Sequence, residues 1–107
     1  MKVDITQMLE FFDSITPLSD ETKGIYWFES RIDTELLLSF AFSLYEDHVS
    51  VIIKSTSQKD LTSVSMKNCS AINVLDEKKK CLEVIHENGK GRCFISLLEG
   101  TVLAYDE

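Results

Sequence analysis

Apolar residues alternate with mostly small or polar ones between Leu36 and Tyr45, and this period of two is the strongest structural signal in the chain. An extended strand gathers such residues onto one face, whereas a helix would distribute them around its circumference. The turn Glu46–His48 and the alternating apolar residues that follow it predict the second strand of a hairpin. The apolar face of the first strand carries Leu36, Leu38, Phe40, Phe42 and Leu44.

Further segments with strand-like composition lie on both sides of this hairpin. The aromatic segment Ile25–Phe28 predicts the first strand of the sheet. Turn-forming residues separate the later segments: Asn88-Gly89 is a strong hairpin signal, and Lys78–Lys80 predicts a solvated turn. The later predicted strands are Leu61–Lys67, Ala71–Leu75, Lys80–His86, Arg92–Leu98 and Thr101–Tyr105.

The N-terminal segment has the period of a helix instead. Asp4 stands at the position of an N-cap, and Thr16-Pro17 supplies a stop. The chain is therefore predicted to be a single domain, residues 1–107, with an α+β fold. Its N-terminal helix packs on a mostly antiparallel, curled or two-layer sheet of about seven to eight strands. The apolar stripe of the helix carries Ile5, Met8, Leu9, Phe11, Phe12 and Ile15.

The negative charge of the chain is concentrated in its first half. Residues 1–53 contain ten acidic and three basic residues, whereas residues 54–107 contain eight of each, so the first segment accounts for the net charge of −7. A surface of one sign attracts oppositely charged molecules and disfavours nucleic acid and anionic membranes. We therefore predict a basic protein as partner, with solubility alone as the alternative interpretation.

The N-terminal segment and the cysteines both bear on location. Three acidic residues among the first 13 interrupt what a secretory signal would need as an apolar core, so a cytoplasmic protein is expected. An odd number of cysteines without a closely spaced pair favours reduced thiols on strands over a disulfide framework. These cysteines are Cys69, Cys81 and Cys93.

Catalytic and metal-binding arrangements have little support in the sequence. Neither His48 nor His86 has a nucleophile or carboxylate at a motif spacing. A nucleophilic pair of Cys93 and His86 would need a cleft and a lowered thiol pKa. A zinc site would require adjacent strands to align the three cysteines with His86. We therefore expect no enzymatic activity, no cofactor and no metal.

The acidic residues remain as candidates for binding a partner. Glu29, Asp33 and Glu35 share one parity, so an unbroken strand would direct them to the same side. Further acidic residues flank an aromatic anchor at the hairpin tip or lie in the loop before the first strand. Scattered solvent-facing carboxylates are the alternative. The predicted partner-binding set is Asp20, Glu21, Glu29, Asp33, Glu35, Tyr45, Glu46 and Asp47.

Three segments carry a resemblance to a known family: LEFFDSITPLSDE, LLLSFAFSLYEDHVSVII and NCSAINVLDEKKKCLEVIHENGKGRCFISL. In layout and charge they resemble bacterial toxin-immunity proteins, and are similar to those of contact-dependent growth inhibition. The resemblance implies a cytoplasmic, non-catalytic monomer that binds its cognate toxin domain, typically a basic nuclease, one-to-one and blocks it. The alternative is a non-catalytic adaptor or secretion-chaperone-like module, which would dimerise and expose a large apolar patch.

Overall fold

The computed structural model describes residues 1–12, 18–20, 23–31, 34–57, 59–89, 91–97 and 102–105. Within these residues the chain forms one helix, α1 (Ile5–Phe12), followed by nine strands. The strands are β1 (Leu18–Asp20), β2 (Ile25–Arg31), β3 (Leu36–Ser43), β4 (His48–Ser55), β5 (Asp60–Met66), β6 (Cys69–Asp76), β7 (Cys81–His86), β8 (Gly91–Ser96) and β9 (Val102–Tyr105).

The strands form two antiparallel sheets in which sequence neighbours pair. The first sheet has the order β1-β2-β3-β4-β5 and the second the order β6-β7-β8-β9. The predicted α+β fold is confirmed. The sequence left open a single curled sheet or two layers, and the structure has two separate sheets. Strand β1 was not predicted, because three residues in a polar segment are too short to show a period.

The start of α1 follows the sequence prediction. The backbone N–H of Gln7 donates to Oδ1 of Asp4 at 3.1 Å, so Asp4 is the N-cap. Met8, Phe11 and Phe12 form the buried face of the helix. The predicted extension of this stripe to Ile15 and the stop at Thr16-Pro17 lie outside the described residues.

The end of α1 is held by a lysine from a distant turn. Nζ of Lys80 donates to the backbone carbonyl oxygens of Glu10 at 3.1 Å and Phe11 at 3.0 Å. A cation at this end satisfies carbonyls that have no partner within the helix and complements its dipole. The prediction that the lysine run is only a solvated turn is therefore wrong for Lys80, because its side chain lies across the helix end.

One hydrophobic core joins the helix and both sheets. The alternation in β3 buries Leu38, Phe40 and Phe42, as predicted. The ring of Phe12 lies 5.2 Å, centroid to centroid, from each of the rings of Phe28 and Phe40. The second sheet contributes Leu82, Val84, Cys93 and Ile95 to the same core.

The cysteines carry free thiols, as the sequence indicated: Cys69 and Cys93 are buried and Cys81 is half-buried. In the part of the chain that the structure describes, no helix is long and apolar enough to cross a membrane.

Candidate partner-binding face

The first sheet buries one face in the core and leaves the other open. Because side chains alternate along a strand, residues between the buried ones share this open side, which we call the outer face. The strand register aligns Trp27 of β2 with Ala41 of β3, Ser50 of β4 and Ser65 of β5. A neighbouring row aligns Glu29, Ser39, Ile52 and Ser63.

A depression of about 280 Å³ lies on the outer face. Small side chains on the central strand, Ser39 and Ala41, leave room between Trp27 on β2 and Ile52 on β4. The indole of Trp27 remains 39% exposed although it sits within a sheet. The described residues that line the depression are Ile25, Trp27, Ser39, Ala41, Phe42, Ser43, Glu46, His48, Ser50 and Ile52.

His48 lies at the end of the depression near the β3–β4 turn. Its Nε2 and Oγ of Ser65 are joined by a hydrogen bond of 2.7 Å across β4 and β5. This bond fixes the orientation of the imidazole ring in the lining.

Glu29, one of the predicted acidic residues, lies on the outer face but is paired within the chain. Nζ of Lys54 donates to Oε1 of Glu29 at 3.0 Å. The acidic segment identified in the sequence ends at residue 53. Lys54, the first residue after it, therefore neutralises one carboxylate of that segment. The outer face is therefore less acidic than the composition of residues 1–53 suggests.

Asp47 is also engaged within the chain. Its Oδ1 accepts a hydrogen bond of 2.7 Å from the ammonium group of Met1. Its backbone carbonyl accepts the N–H of Cys69 at 2.9 Å, which ties the β3–β4 turn to the start of β6. The residue adopts a left-handed conformation (φ 52°), which aspartate tolerates better than most residues.

Glu46 differs from these two carboxylates. It is exposed and lines the depression, and its backbone N–H donates to Oγ of Ser43 at 3.3 Å. No lysine, arginine or N-terminal amine among the described residues forms an ion pair with its side chain. Its carboxylate is therefore available to a cation from outside.

Tyr45 lies beside Glu46 and is 72% exposed. One edge of its ring packs on Gly24, where an added Cβ would approach Cδ2 of the ring to 3.2 Å. Gly24 also has a positive φ of 65°, so glycine suits this position for two reasons. The backbone of Asp20 pairs with Ile25 at the same end of the sheet.

The predicted set does not form one cluster. Glu35 precedes β3, at the end of the sheet opposite to Glu46, and the eight residues of β3 separate the two by roughly 25 Å. Glu21 and Asp33 lie outside the described residues. The sequence prediction did not include three residues of the lining, Ser39, Ser50 and His48. The available signal was the small polar residues that alternate with Leu and Phe, because these mark the side of a strand that faces away from the core.

The thiol of Cys93 does not have the properties of a nucleophile. Cys93 is fully buried, and this burial, with a smaller contribution from Cys69, raises the pKa of its thiol to about 11. A nucleophilic thiol needs the opposite shift. Within the described ranges, no three or more His, Cys, Asp or Glu side chains are grouped closely enough to hold a metal ion.

Comparisons with known proteins give a likeness in fold. No family model matches the sequence and no curated protein matches it. A chain of the contact-dependent growth inhibition toxin - immunity protein complex from Klebsiella pneumoniae 342 superposes with a TM-score of 0.75 at 13% identity. The match covers 94% of this chain and 90% of that chain. The resemblance found in the sequence is therefore confirmed at the level of the fold.

Proposed function

We propose that this protein is an immunity protein that binds a cognate toxin domain in the cytoplasm and neutralises it without catalysing a reaction. The observation that carries the proposal is the fold shared, over 94% of the chain, with a chain of a toxin - immunity protein complex. The sequence resemblance points the same way. We expect a monomer that binds one toxin domain.

The outer face of the first sheet is the proposed toxin-binding surface. It combines an exposed tryptophan, a surface of small side chains and the exposed carboxylate of Glu46. Aromatic anchors surrounded by polar side chains are typical of the residues that dominate protein interfaces. A nuclease toxin that binds an anionic substrate would present a basic surface, and an acidic protein of net charge −7 is suited to cover it.

The test of this function is co-expression with the toxin domain encoded beside this protein. We expect the domain to arrest growth alone, and cells that also make this protein to survive. The two proteins should co-purify as a one-to-one complex whose association slows as salt is added, because charges steer the encounter. A toxic neighbouring domain that this protein neither binds nor neutralises would contradict the proposal.

Two aromatic residues on opposite faces provide a matched pair of variants. Trp27 is 39% exposed on the first sheet and Phe94 is 40% exposed on the second. Trp27→Ala should weaken toxin binding by about 10- to 30-fold, as expected for an anchor residue, whereas Phe94→Ala should change it less than about twofold. Calorimetric titration of the purified domains measures the affinity of each variant for the toxin. A larger loss of affinity in Phe94→Ala than in Trp27→Ala would place the interface on the second sheet.

An adaptor or secretion-chaperone-like module is the second candidate function. It is favoured by the exposed apolar side chains of Leu75 (54%) and Phe94 (40%) on the second sheet. Such a module would associate through this patch. Elution at the mass of a dimer in gel filtration, without binding to a toxin domain, would favour this candidate.

A further inference from the structure

We propose that the depression on the outer face binds one arginine side chain of the partner, with Trp27 as its stacking surface and Glu46 as its counter-ion. This inference deepens the proposed function, on which the choice of a toxin domain as partner rests. It follows from the size of the depression, its aromatic wall and the charges that line it.

The size of the depression fits a side chain. Its volume of about 280 Å³ lies just below the range of about 300–1,000 Å³ that is usual for small-molecule and cofactor sites. The small residues Ser39, Ala41 and Ser50 keep it open along the centre of the sheet. An elongated, planar group can therefore lie between Trp27 and Ile52.

The aromatic wall favours a guanidinium group. Trp27 exposes part of its indole on the outer face. Arginine stacks on aromatic rings through its planar, delocalised cation, and tryptophan is the best aromatic partner for such a contact. An aliphatic side chain would fill the same space but would leave the carboxylate of Glu46 without a partner.

The charges lining the depression select a cation. Glu46 is the one acidic residue among the described residues of the lining, and these include no lysine or arginine. The carboxylates of Glu29 and Asp47 already have intramolecular partners, at 3.0 Å and 2.7 Å, whereas that of Glu46 has none among the described residues. An incoming cation therefore meets one carboxylate that no ion pair among the described residues neutralises.

The hydroxyl groups favour arginine over lysine. Oxygen atoms of Ser39 and Ser50 lie in the same lining as Glu46 and can accept hydrogen bonds. A guanidinium group carries five N–H donors in a plane, so the donors that do not face a carboxylate remain available for hydrogen bonds while its flat face can rest on an aromatic ring. An ammonium group offers a point charge without the planar face.

Trp27 is the one tryptophan of the chain, so its fluorescence reports directly on the depression. The probe is the peptide N-acetyl-glycyl-arginyl-glycinamide at low salt, compared with the same peptide containing citrulline, which has the shape of arginine without the charge. We expect a saturable fluorescence change with the arginine peptide, and binding about tenfold weaker or more for the citrulline peptide.

Variants locate the interaction. Glu46→Gln keeps the size of an exposed side chain, so the fold should be retained, and it should weaken binding of the arginine peptide about tenfold. Glu83→Gln is the matched control, because Glu83 pairs with Phe94 on the solvent side of the second sheet and should leave binding unchanged. Equal binding of the two peptides, or full binding by Glu46→Gln, would overturn the inference.

The toxin complex separates this inference from the proposed function. If the wild type protects cells and binds the toxin domain while Glu46→Gln binds it equally well, the arginine site is wrong and the immunity function stands. If the arginine peptide binds as expected but no neighbouring toxin domain does, the site stands and the proposed partner is wrong.

Discussion

At the scale of single residues, burial sets the chemistry of the thiols in this protein. Cys81 is half-buried, and its Sγ lies 3.6 Å from the carbonyl oxygen of Lys79 and from Oγ of Ser96. Cys93 is fully buried among apolar side chains, which disfavours its charged form. Burial therefore keeps the thiol of Cys93 in its neutral form at neutral pH.

The raised pKa of Cys93 predicts a loss of stability at alkaline pH. Folding raises the thiol pKa from 9.0 to about 11, so its contribution is fully present below pH 9 and is lost as pH rises toward 11. The free energy of unfolding should fall with a slope approaching about 1.4 kcal/mol per pH unit in that window. Urea unfolding followed by Trp27 fluorescence at several pH values measures this slope.

The variant Cys93→Ala isolates the thiol in this experiment. It should be less stable at neutral pH because it leaves a cavity, but its stability should fall less steeply above pH 9. All other side chains are common to both proteins, so the difference between the slopes belongs to Cys93. Identical slopes would contradict the prediction.

At the scale of elements, the turn between β6 and β7 contains three consecutive lysines whose side chains have different surroundings. The exposed Lys79 contributes its backbone N–H to Oδ1 of Asp76 at 3.0 Å. Lys80 adopts a positive φ of 54°, and its Nζ reaches the end of α1 and lies 5.8 Å from the centroid of the Phe11 ring. The turn thus connects the second sheet to the helix.

Replacing Lys80 should therefore destabilise the protein more than replacing Lys79. Lys80→Met keeps the aliphatic stem but removes two hydrogen bonds to the helix end, and should lower the free energy of unfolding by about 1–2 kcal/mol. Lys79→Met should change it by less than about 0.5 kcal/mol, as is usual for exposed positions. Urea unfolding compares them, and equal losses would show that the contact with the helix contributes nothing.

At the scale of the whole molecule, the single core predicts that both sheets unfold together. Phe12 contacts the rings of Phe28 and Phe40 in a core that also includes Val84 and Ile95 of the second sheet. Phe12→Ala should reduce the free energy of unfolding by about 3–5 kcal/mol, because it removes a large buried ring. Trp27 fluorescence reports the first sheet, and far-ultraviolet circular dichroism reports all strands.

The two signals should give one midpoint in urea for the wild type and for Phe12→Ala alike. Phe94→Ala is the control for loss of an aromatic ring. Because Phe94 is 40% exposed, the urea midpoint of this variant should move much less than that of Phe12→Ala. Separate midpoints for the two signals would mean that the sheets have independent cores.

The sequence predicted the local elements well because their signals are local. The N-cap at Asp4, the apolar stripe of α1 and the alternation in β3 each depend on residues within a few positions of one another. Those periods also fix which side chains of β3 enter the core. The binding site could not be predicted in the same way. Tyr45 and Glu46 remain predictions as partner-binding residues, because the availability of a carboxylate depends on ion pairs with residues far away in the sequence.

By itself, the sequence determined the α+β class, the principal strands and the faces of the strands that enter the core. The tertiary structure decided which side chains meet: Lys54 with Glu29 across 25 positions, Met1 with Asp47 across 46, and Lys80 with the helix end across 69 and 70. Hydrophobic periodicity specifies faces over a few residues, whereas such pairings depend on how whole sheets pack. Only the folded chain therefore distinguishes Glu46 from Glu29 and Asp47.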